Sequence, residues 1–205
     1  MRERVRFYLD PTCPWAWQTA KWMWQVREVR GVEVEWRLFS LYLRNESPDD
    51  PLTDPAAARS IAALRTLALA GRELGNDAVG KLYAALGDRI HERKERLSPE
   101  LVGAALADAG LDGGLLDRAL ADDTTAAEVR AQHAEGATSV EAFGVPTIVL
   151  QSGRGMFGPV VAVAPAGEEA GELWDHVRWM IDRDGFFELK RERDRRPGEP
   201  APAGR

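Results

Sequence analysis

The stretch from Leu9 to Trp17 contains Cys13, the only cysteine among 205 residues. Cys13 lies between a short apolar run, Val5 to Leu9, and a helical pattern that begins near Pro14. A strand that leads into a helix through a tight turn places Cys13 at the helix N-terminus, where free backbone N–H groups and the helix dipole favour negative charge. We therefore predict a reactive thiol that ionises more readily than free cysteine. A buried structural cysteine is the alternative.

The bulk composition excludes several classes of protein. A hydrophobic content of 44% can fill a core, and the net charge of −6 disfavours general nucleic-acid binding. The sequence has no apolar run of membrane-spanning length, and the charged start, Met1 to Arg4, is unlike a signal peptide. A lone cysteine and three scattered histidines predict neither an intrachain disulfide nor a metal site. These features predict a cytoplasmic protein with no membrane or nucleic-acid partner.

The first part of the chain has the pattern of a β-α-β unit. Val5–Leu9 is typical of a buried strand, and the helix is predicted over Pro14–Arg30 with Gly31 as its stop. Val32–Leu38 alternates like a half-exposed strand, and we expect the chain to continue inward as far as Leu43. Two strands so joined form a parallel pair.

The polar loop that follows the second strand is a candidate part of a binding site. Ligands of open α/β sheets bind beyond the carboxyl ends of parallel strands, and this loop leaves such an end. Asn45 and Glu46 are its first candidates, with an ordinary solvated loop as the alternative.

A helical block is predicted from about residue 55 to residue 143, with roughly four or five helices. Ser98-Pro99 starts one of them as a cap followed by a first-turn proline. Thr125 to Glu128 has the form of a capping box that opens another, which Gly144 can end.

Strand patterns return after the helical block. Val145–Leu150 is a predicted strand, followed by a hairpin turn and a partner strand at Met156-Phe157. The last predicted helix is Gly167–Arg183. The order β-α-β, helices, β-β-α predicts an α/β fold with one mixed sheet. Its predicted divisions are residues 1–52 and 144–190 for the two halves of the sheet domain, 53–143 for an all-helical insertion, and 191–205 for a disordered tail.

This order of elements resembles the thioredoxin-like fold with a helical insertion found in the DsbA-like oxidoreductases. That group also contains kappa-class glutathione transferases and hydroxychromene-carboxylate isomerases, and the chain is most similar to its mycothiol-dependent nitroreductase and mycoredoxin-type branch. The stretches that carry the resemblance follow one another in the expected order, and they are Asp10 to Trp15, Ser40 to Glu46, Arg89 to His91, Gly144 to Ile148, Phe157 to Pro159, Gly167 to Trp174 and Phe186 to Arg191.

The resemblance implies roles for matching positions. Cys13 would be the attacking thiolate, and Val145-Pro146 would form a cis peptide bond opposite it, with the Val145 backbone pairing with a bound thiol or peptide. The implied binding positions around them are Pro14, Trp15, Ala16, Asn45 and His91. For His91 a purely structural role in the insertion is the alternative.

One departure from the family limits the chemistry. Dithiol members have a second cysteine where this chain has Ala16, and the chain has no other cysteine. A monothiol forms a mixed disulfide that only an external thiol can release. A DsbA-type oxidase that passes on its own disulfide is therefore excluded.

Three functions stay open at this point. The first is a monothiol oxidoreductase that uses Cys13 with a low-molecular-weight thiol, mycothiol before glutathione, on mixed disulfides or small electrophiles such as nitro compounds. The second is a thiol-cofactor-dependent isomerase or transferase, and the third is a redox-inactive thioredoxin-like binding protein. The sequence leaves the oligomeric state open.

Overall fold

A computed structural model describes residues 3–45, 55–139 and 144–200 of the chain. Its four-stranded sheet has the order β2-β1-β3-β4, with β1 at Arg4–Leu9, β2 at Glu33–Leu38, β3 at Thr147–Leu150 and β4 at Gly155–Phe157. β1 pairs in parallel with β2 and antiparallel with β3, and β3 pairs antiparallel with β4. The mixed sheet predicted from the order of elements is confirmed.

Helix α1, Pro14–Arg30, begins where β1 and its turn end. Cys13 is its N-cap residue, with an extended backbone, and Pro14 takes the first helical position, where the missing N–H costs nothing. Gly31 ends the helix in the left-handed conformation at a φ of 65°, which glycine adopts without a Cβ clash. The predicted bounds of this helix are confirmed.

The last helix, α8 at Gly167–Ile181, packs on α1. The fully buried rings of Trp22 and Trp174 lie 6.1 Å apart, and Trp22 Nε1 donates to the Ala170 carbonyl at 2.9 Å. Since a buried indole N–H needs a partner, this bond fixes how deeply the two helices interlock. The core of the sheet domain lies between this helix pair and the sheet.

In the described part of the region between the two halves of the sheet, every element of regular secondary structure is a helix. Its elements are α3 at Pro55–Leu74, α4 at Asn76–Gly87, a π-helical turn at Asp88–Glu92, α5 at Pro99–Asp108, α6 at Leu115–Ala121 and α7 at Asp123–Ser139. Ser98 caps α5 as predicted, because its hydroxyl accepts the Leu101 N–H at 3.2 Å. The predicted division at 52/53 lies outside the described residues, as does residue 143.

Two sequence-based expectations about local structure are wrong. Helix α7 begins at Asp123, so Thr125 lies inside the helix and its hydroxyl donates to the Ala119 carbonyl at 2.7 Å instead of capping. Asp122 accepts the free Thr124 N–H in its place. In addition, β2 ends at Leu38, and the chain turns at once into the short helix α2, Leu41–Asn45.

The open edge of the sheet is closed by side-chain amides from the helical block. Asn76 bonds to both backbone groups of Trp36, with its Oδ1 accepting the N–H and its Nδ2 donating to the carbonyl, each at 2.9 Å. Gln132 Oε1 accepts the Leu38 N–H at 3.0 Å. These bonds satisfy the unpaired groups of an edge strand and fix the helical block against β2. In the described residues, no helix is long and apolar enough to span a membrane.

We predict that Gly87→Ala destabilises the protein by about 1–3 kcal/mol, because overpacking at a tight contact forces its neighbours to move. A Cβ at Gly87 would overlap the six-membered ring of Trp17 where the helical block meets α1. Gly103→Ala is the matched control, since a Cβ there meets nothing within 4 Å. The control should raise stability by about 0.5–1 kcal/mol. Urea unfolding measures both variants, and equal effects would contradict this packing.

Candidate active site

Cys13 lies at the N-cap of α1, with its sulfur directed at the first turn of the helix. The Ala16 N–H donates to Cys13 Sγ at 3.4 Å. This contact exists because the first amides of a helix have no partner within the helix. Ala16, buried, thus contributes its backbone, and Pro14 sets the start of the helix.

On its other side the sulfur faces Val145, more than a hundred residues further along the chain. Cys13 Sγ–H donates to the Val145 carbonyl oxygen at 3.5 Å. The Val145–Pro146 peptide bond is cis, and the Pro146 carbonyl accepts the Gly158 N–H at 2.8 Å. The sulfur therefore lies between a donor from one half of the sheet domain and an acceptor from the other.

Burial controls the ionisation of this thiol. Cys13 is 6% exposed. Burial has the largest effect, and it raises the pKa of the Cys13 thiol above its ordinary value. The Ala16 amide lowers this pKa, the negative charge of Asp10 raises it, and the positive charge of Arg193 lowers it. The net shift of the pKa is upward. The bond to the Val145 carbonyl also favours the thiol, because only the neutral form can donate. The expectation that Cys13 ionises more readily than free cysteine is therefore wrong for this closed structure: desolvation outweighs the helix N-terminus.

Asp10 organises the turn that carries Cys13. Its carboxylate is fully buried and accepts the Thr12 N–H at 2.8 Å, the Thr12 hydroxyl at 2.7 Å and the Leu41 N–H at 2.8 Å. Its carbonyl accepts the Cys13 N–H at 3.0 Å. Burial raises the pKa of Asp10, whereas its Thr12 and Leu41 hydrogen bonds lower it. Asp10 was not among the predicted site residues, although Asp-Pro-Thr before a helix is a recognisable turn signal.

His91 joins the helical block to the cysteine turn. It lies in the π-helical turn, where His91 Nε2 is 2.9 Å from the Pro11 carbonyl and the imidazole stacks on Trp17 at 6.3 Å. Burial lowers the pKa of His91, so the neutral ring with Nε2 protonated fits the contact. His91 thus contacts the turn that carries Cys13, at the Pro11 carbonyl, and does not bond to the sulfur itself.

A second contact beside His91 closes the same boundary. Glu92 Oε1 accepts Trp17 Nε1–H at 2.6 Å and pairs with Lys21 Nζ at 2.7 Å. Both partners are on α1, so this clasp of three residues holds the π-helical turn over the helix that carries the cysteine. Neither Glu92 nor Lys21 was predicted.

Trp15 and Asn45 complete the predicted set. Trp15 is half-buried, and the Arg193 guanidinium lies 4.9 Å from its ring centroid. Residues 191–200, predicted as part of a disordered tail, contain no helix or strand, yet they contact the first turns of α1. Asn45 ends α2, but its side chain and all of Glu46 lie outside the described residues. The structure thus brings Pro14, Trp15, Ala16, His91 and Val145-Pro146 around the Cys13 turn.

A cavity of about 200 Å³ lies elsewhere, between β2 and helices α3, α4 and α7. Its lining includes Trp36, Arg37 and Arg72 and none of the residues around Cys13. Its lining contains no cysteine and no histidine. Within the described residues, no group of three or more acidic, histidine or cysteine side chains could hold a metal ion.

Comparison with known proteins places this geometry in a family. Residues 12–191 match the family model described as Rv2466c-like, mycothiol-dependent nitroreductase Rv2466c. The chain is 34% identical over 191 residues to the uncharacterized protein Rv2286c of Mycobacterium tuberculosis, and the match covers 91% of this chain and 81% of that protein.

Solved structures share the fold at low sequence identity. The probable DsbA oxidoreductase SCO1869 from Streptomyces coelicolor superposes with a TM-score of 0.63 at 22% identity, covering 94% of this chain and 95% of that one. The cytosolic disulfide reductase DsbM from Pseudomonas aeruginosa, solved with GSH, gives 0.61 at 14% identity and covers 85% and 99%. The thioredoxin-like fold predicted from the resemblance is confirmed.

We predict that Glu92→Gln weakens the closure of the helical block in a pH-dependent way. Lys21 first, and then Trp17, hold the pKa of Glu92 below its ordinary value of 4.5. The Glu92 carboxylate therefore stabilises the folded state at pH values above this ordinary pKa. Its contribution is lost as the pH falls through the lowered pKa of the folded state. Since the side chain is 43% exposed, the expected loss at neutral pH is about 0.5–1 kcal/mol.

Urea unfolding at neutral and acidic pH measures this difference, with Glu172→Gln on the exposed face of α8 as the control. The difference in free energy of unfolding between Glu92→Gln and the unmodified protein should become smaller at acidic pH. A difference that is constant with pH, or matched by the control, contradicts an ionic clasp.

We also predict that Asp10→Asn lowers the pKa of Cys13, because it removes the neighbouring negative charge. Alkylation by neutral iodoacetamide near neutral pH should become several-fold faster, with stability lower by about 1–3 kcal/mol from the weakened turn. The pH dependence of the alkylation rate gives the pKa. Thr12→Val is the control, since it removes a hydrogen bond to Asp10 and keeps the charge. If the control raises the rate equally, turn geometry and not charge governs the thiol.

Proposed function

The chain belongs to the Rv2466c-like family of mycothiol-dependent nitroreductases. We propose that it is a monothiol oxidoreductase that uses Cys13 with a low-molecular-weight thiol. The proposed thiol is mycothiol, and the proposed substrates are mixed disulfides or small electrophiles such as nitro compounds. The observation that carries the proposal is the placement of Cys13 Sγ between the Ala16 amide and the Val145 carbonyl, at 3.4 and 3.5 Å.

The first half-reaction is an attack by Cys13 on a disulfide. The thiol proton passes to water, and the Ala16 N–H donates a hydrogen bond to the thiolate that forms. The thiolate attacks one sulfur of the substrate, the substrate S–S bond breaks, and the second sulfur departs with the electron pair. Cys13 is now oxidised in a mixed disulfide, and the substrate has released one reduced thiol.

The second half-reaction requires a thiol from outside the protein. A second cysteine at the position of Ala16 would resolve the mixed disulfide internally, but the chain has a single cysteine. An external thiolate therefore attacks the mixed disulfide, restores Cys13 and leaves as a new disulfide with the group that Cys13 held. The family description supports mycothiol as that thiol. The lone cysteine supports a reducing, cytoplasmic location.

Reaction also requires that the site open, because the sulfur is nearly covered in this structure. Two contacts between the helical block and this turn are the His91 contact with Pro11 and the Glu92 clasp on Trp17 and Lys21. Neither contact involves the sulfur. Loss of these two contacts would therefore leave in place the Ala16 amide that supports the thiolate.

The raised pKa of Cys13 favours a second candidate, a thiol-cofactor-dependent isomerase or transferase. In that scheme Cys13 stays protonated and donates its S–H to the thiolate of a bound cofactor. The cofactor sulfur is the nucleophile, and no disulfide to the protein forms. Serine at position 13 would supply the same hydrogen bond, so this candidate predicts activity in Cys13→Ser.

Intact-protein mass spectrometry separates the two candidates. The reduced protein is incubated with oxidised mycothiol and, separately, with oxidised glutathione. The proposal expects one covalent mycothiol adduct, smaller or absent addition of glutathione, and release by added thiol. Since the chain has one cysteine, Cys13→Ser is the matched control and should show no adduct and no thiol-dependent reduction of either substrate class.

Two results would overturn the proposal. Thiol-dependent activity that survives in Cys13→Ser, with no adduct in the unmodified protein, assigns the second candidate. No adduct and no measurable affinity for either thiol leaves a redox-inactive binding protein. A glutathione adduct without a mycothiol adduct would keep the chemistry and replace the cofactor.

A further inference from the structure

The C-terminal segment, residues 191–200, lies as a strap across the first turns of α1, which follow Cys13. The Arg193 guanidinium lies 4.9 Å from the centroid of the Trp15 ring, within the range of a cation–π contact. Further along, the Gly198 N–H donates to the Ala162 carbonyl at 2.6 Å, and a Cβ on Gly198 would lie 3.4 Å from Gln18 Nε2. The strap is thus seated on the first turns of α1 and on the loop after β4.

Arg193 is the cation that this strap brings to the site. Its side chain is exposed, and its guanidinium forms no ion pair with any residue in the described ranges. Its neighbour Arg195, in contrast, pairs with Asp194 at 2.9 Å. Arg193 therefore combines a flat aromatic support with donors that are available to an anion.

The charges around Cys13 show what this cation faces. Asp10 lies beneath the turn, and its charge raises the pKa of the thiol, whereas Arg193 lowers it. Tyr83, from α4, is fully buried; burial first, and then the Cys13 and Asp10 charges, raise the pKa of its phenol. His91 is held neutral by burial beside Pro11. An anionic reactant that approaches Cys13 therefore meets the buried negative charge of Asp10, and Arg193 offsets it.

We infer that Arg193 is a specificity-determining residue that selects substrates with a negative charge beside the reacting group. The Trp15 ring supports the guanidinium, and the guanidinium pairs with the anion. This inference rests on the proposed function, because the selected molecule is the reactant that Cys13 attacks. For an aromatic disulfide, the Cys13 thiolate forms the new S–S bond, the aryl S–S bond breaks, and an aryl thiolate leaves with the electron pair.

Two aromatic disulfides, one anionic and one neutral, test the inference. Dithiobis(nitrobenzoate) carries a carboxylate on each ring, and dithiodipyridine is neutral; both release a coloured thiol when Cys13 attacks. The ratio of their second-order rate constants cancels changes in the ionisation of Cys13, because both reactions depend on it equally. At low salt, Arg193→Ala should lower the anionic-to-neutral ratio by about five- to tenfold, as expected for loss of one attractive charge at the rim of a site.

The controls separate charge from position. Arg193→Lys should keep most of the ratio, and Arg196→Ala, which removes an equal charge from the same strap, should leave it unchanged. In the unmodified protein the ratio should fall as salt is added, since salt screens exposed charges. An unchanged ratio in Arg193→Ala, or an equal loss in Arg196→Ala, overturns the inference. Failure of the unmodified protein to react with the neutral disulfide instead overturns the proposed function.

Discussion

The confinement of one sulfur atom is the constraint on which the rest of this structure depends. Cys13 Sγ is held between the Ala16 amide and the Val145 carbonyl and is almost entirely covered. The amide stabilises a thiolate, whereas the carbonyl and burial stabilise a thiol. In the closed structure the carbonyl and burial outweigh the amide, so the pKa of Cys13 is raised. Cys13 is therefore protonated in the closed site, and the proposed chemistry requires that water reach its sulfur.

The fold achieves this confinement by bringing distant segments to one turn. The β1–α1 turn supplies the sulfur, the start of β3 supplies the carbonyl, and the π-helical turn supplies His91 and Glu92. Asn76 and Gln132 anchor the helical block on the open edge of β2, and the Trp17 ring leaves room only for a glycine at position 87. The hydrogen bonds of the sulfur itself go to Ala16 and Val145, which lie outside the block.

Much of this arrangement could be predicted from the sequence, because it depends on local signals. The apolar run of β1, the proline after Cys13 and Gly31 specify the first strand, the helix and its ends. The order of elements and the Val145-Pro146 pair then lead to the fold. Ala16, in a chain with one cysteine, limits the redox cycle through residue identity alone.

The remainder depends on tertiary contacts that leave no local signal. The helix N-terminus alone predicted an acidic thiol, but desolvation depends on the residues that the fold packs over Cys13. Thr125 to Glu128 have the residue types of a capping box, yet Asp122 lies next to the start of α7 and caps this helix instead. Arg193 reaches Trp15 from a segment whose composition is typical of disorder, so no pattern along the chain connects the two.

The measurement that tests the confinement of Cys13 most directly is a spectroscopic titration of its thiolate. The ultraviolet absorbance of the reduced protein is followed with pH, and the same titration of Cys13→Ser is subtracted to remove the tyrosines. We expect the thiolate to form with a midpoint above pH 9.0, the ordinary pKa of this thiol, because burial and the Val145 carbonyl favour the neutral form. A midpoint below that value would contradict it and would show that the helix N-terminus outweighs burial.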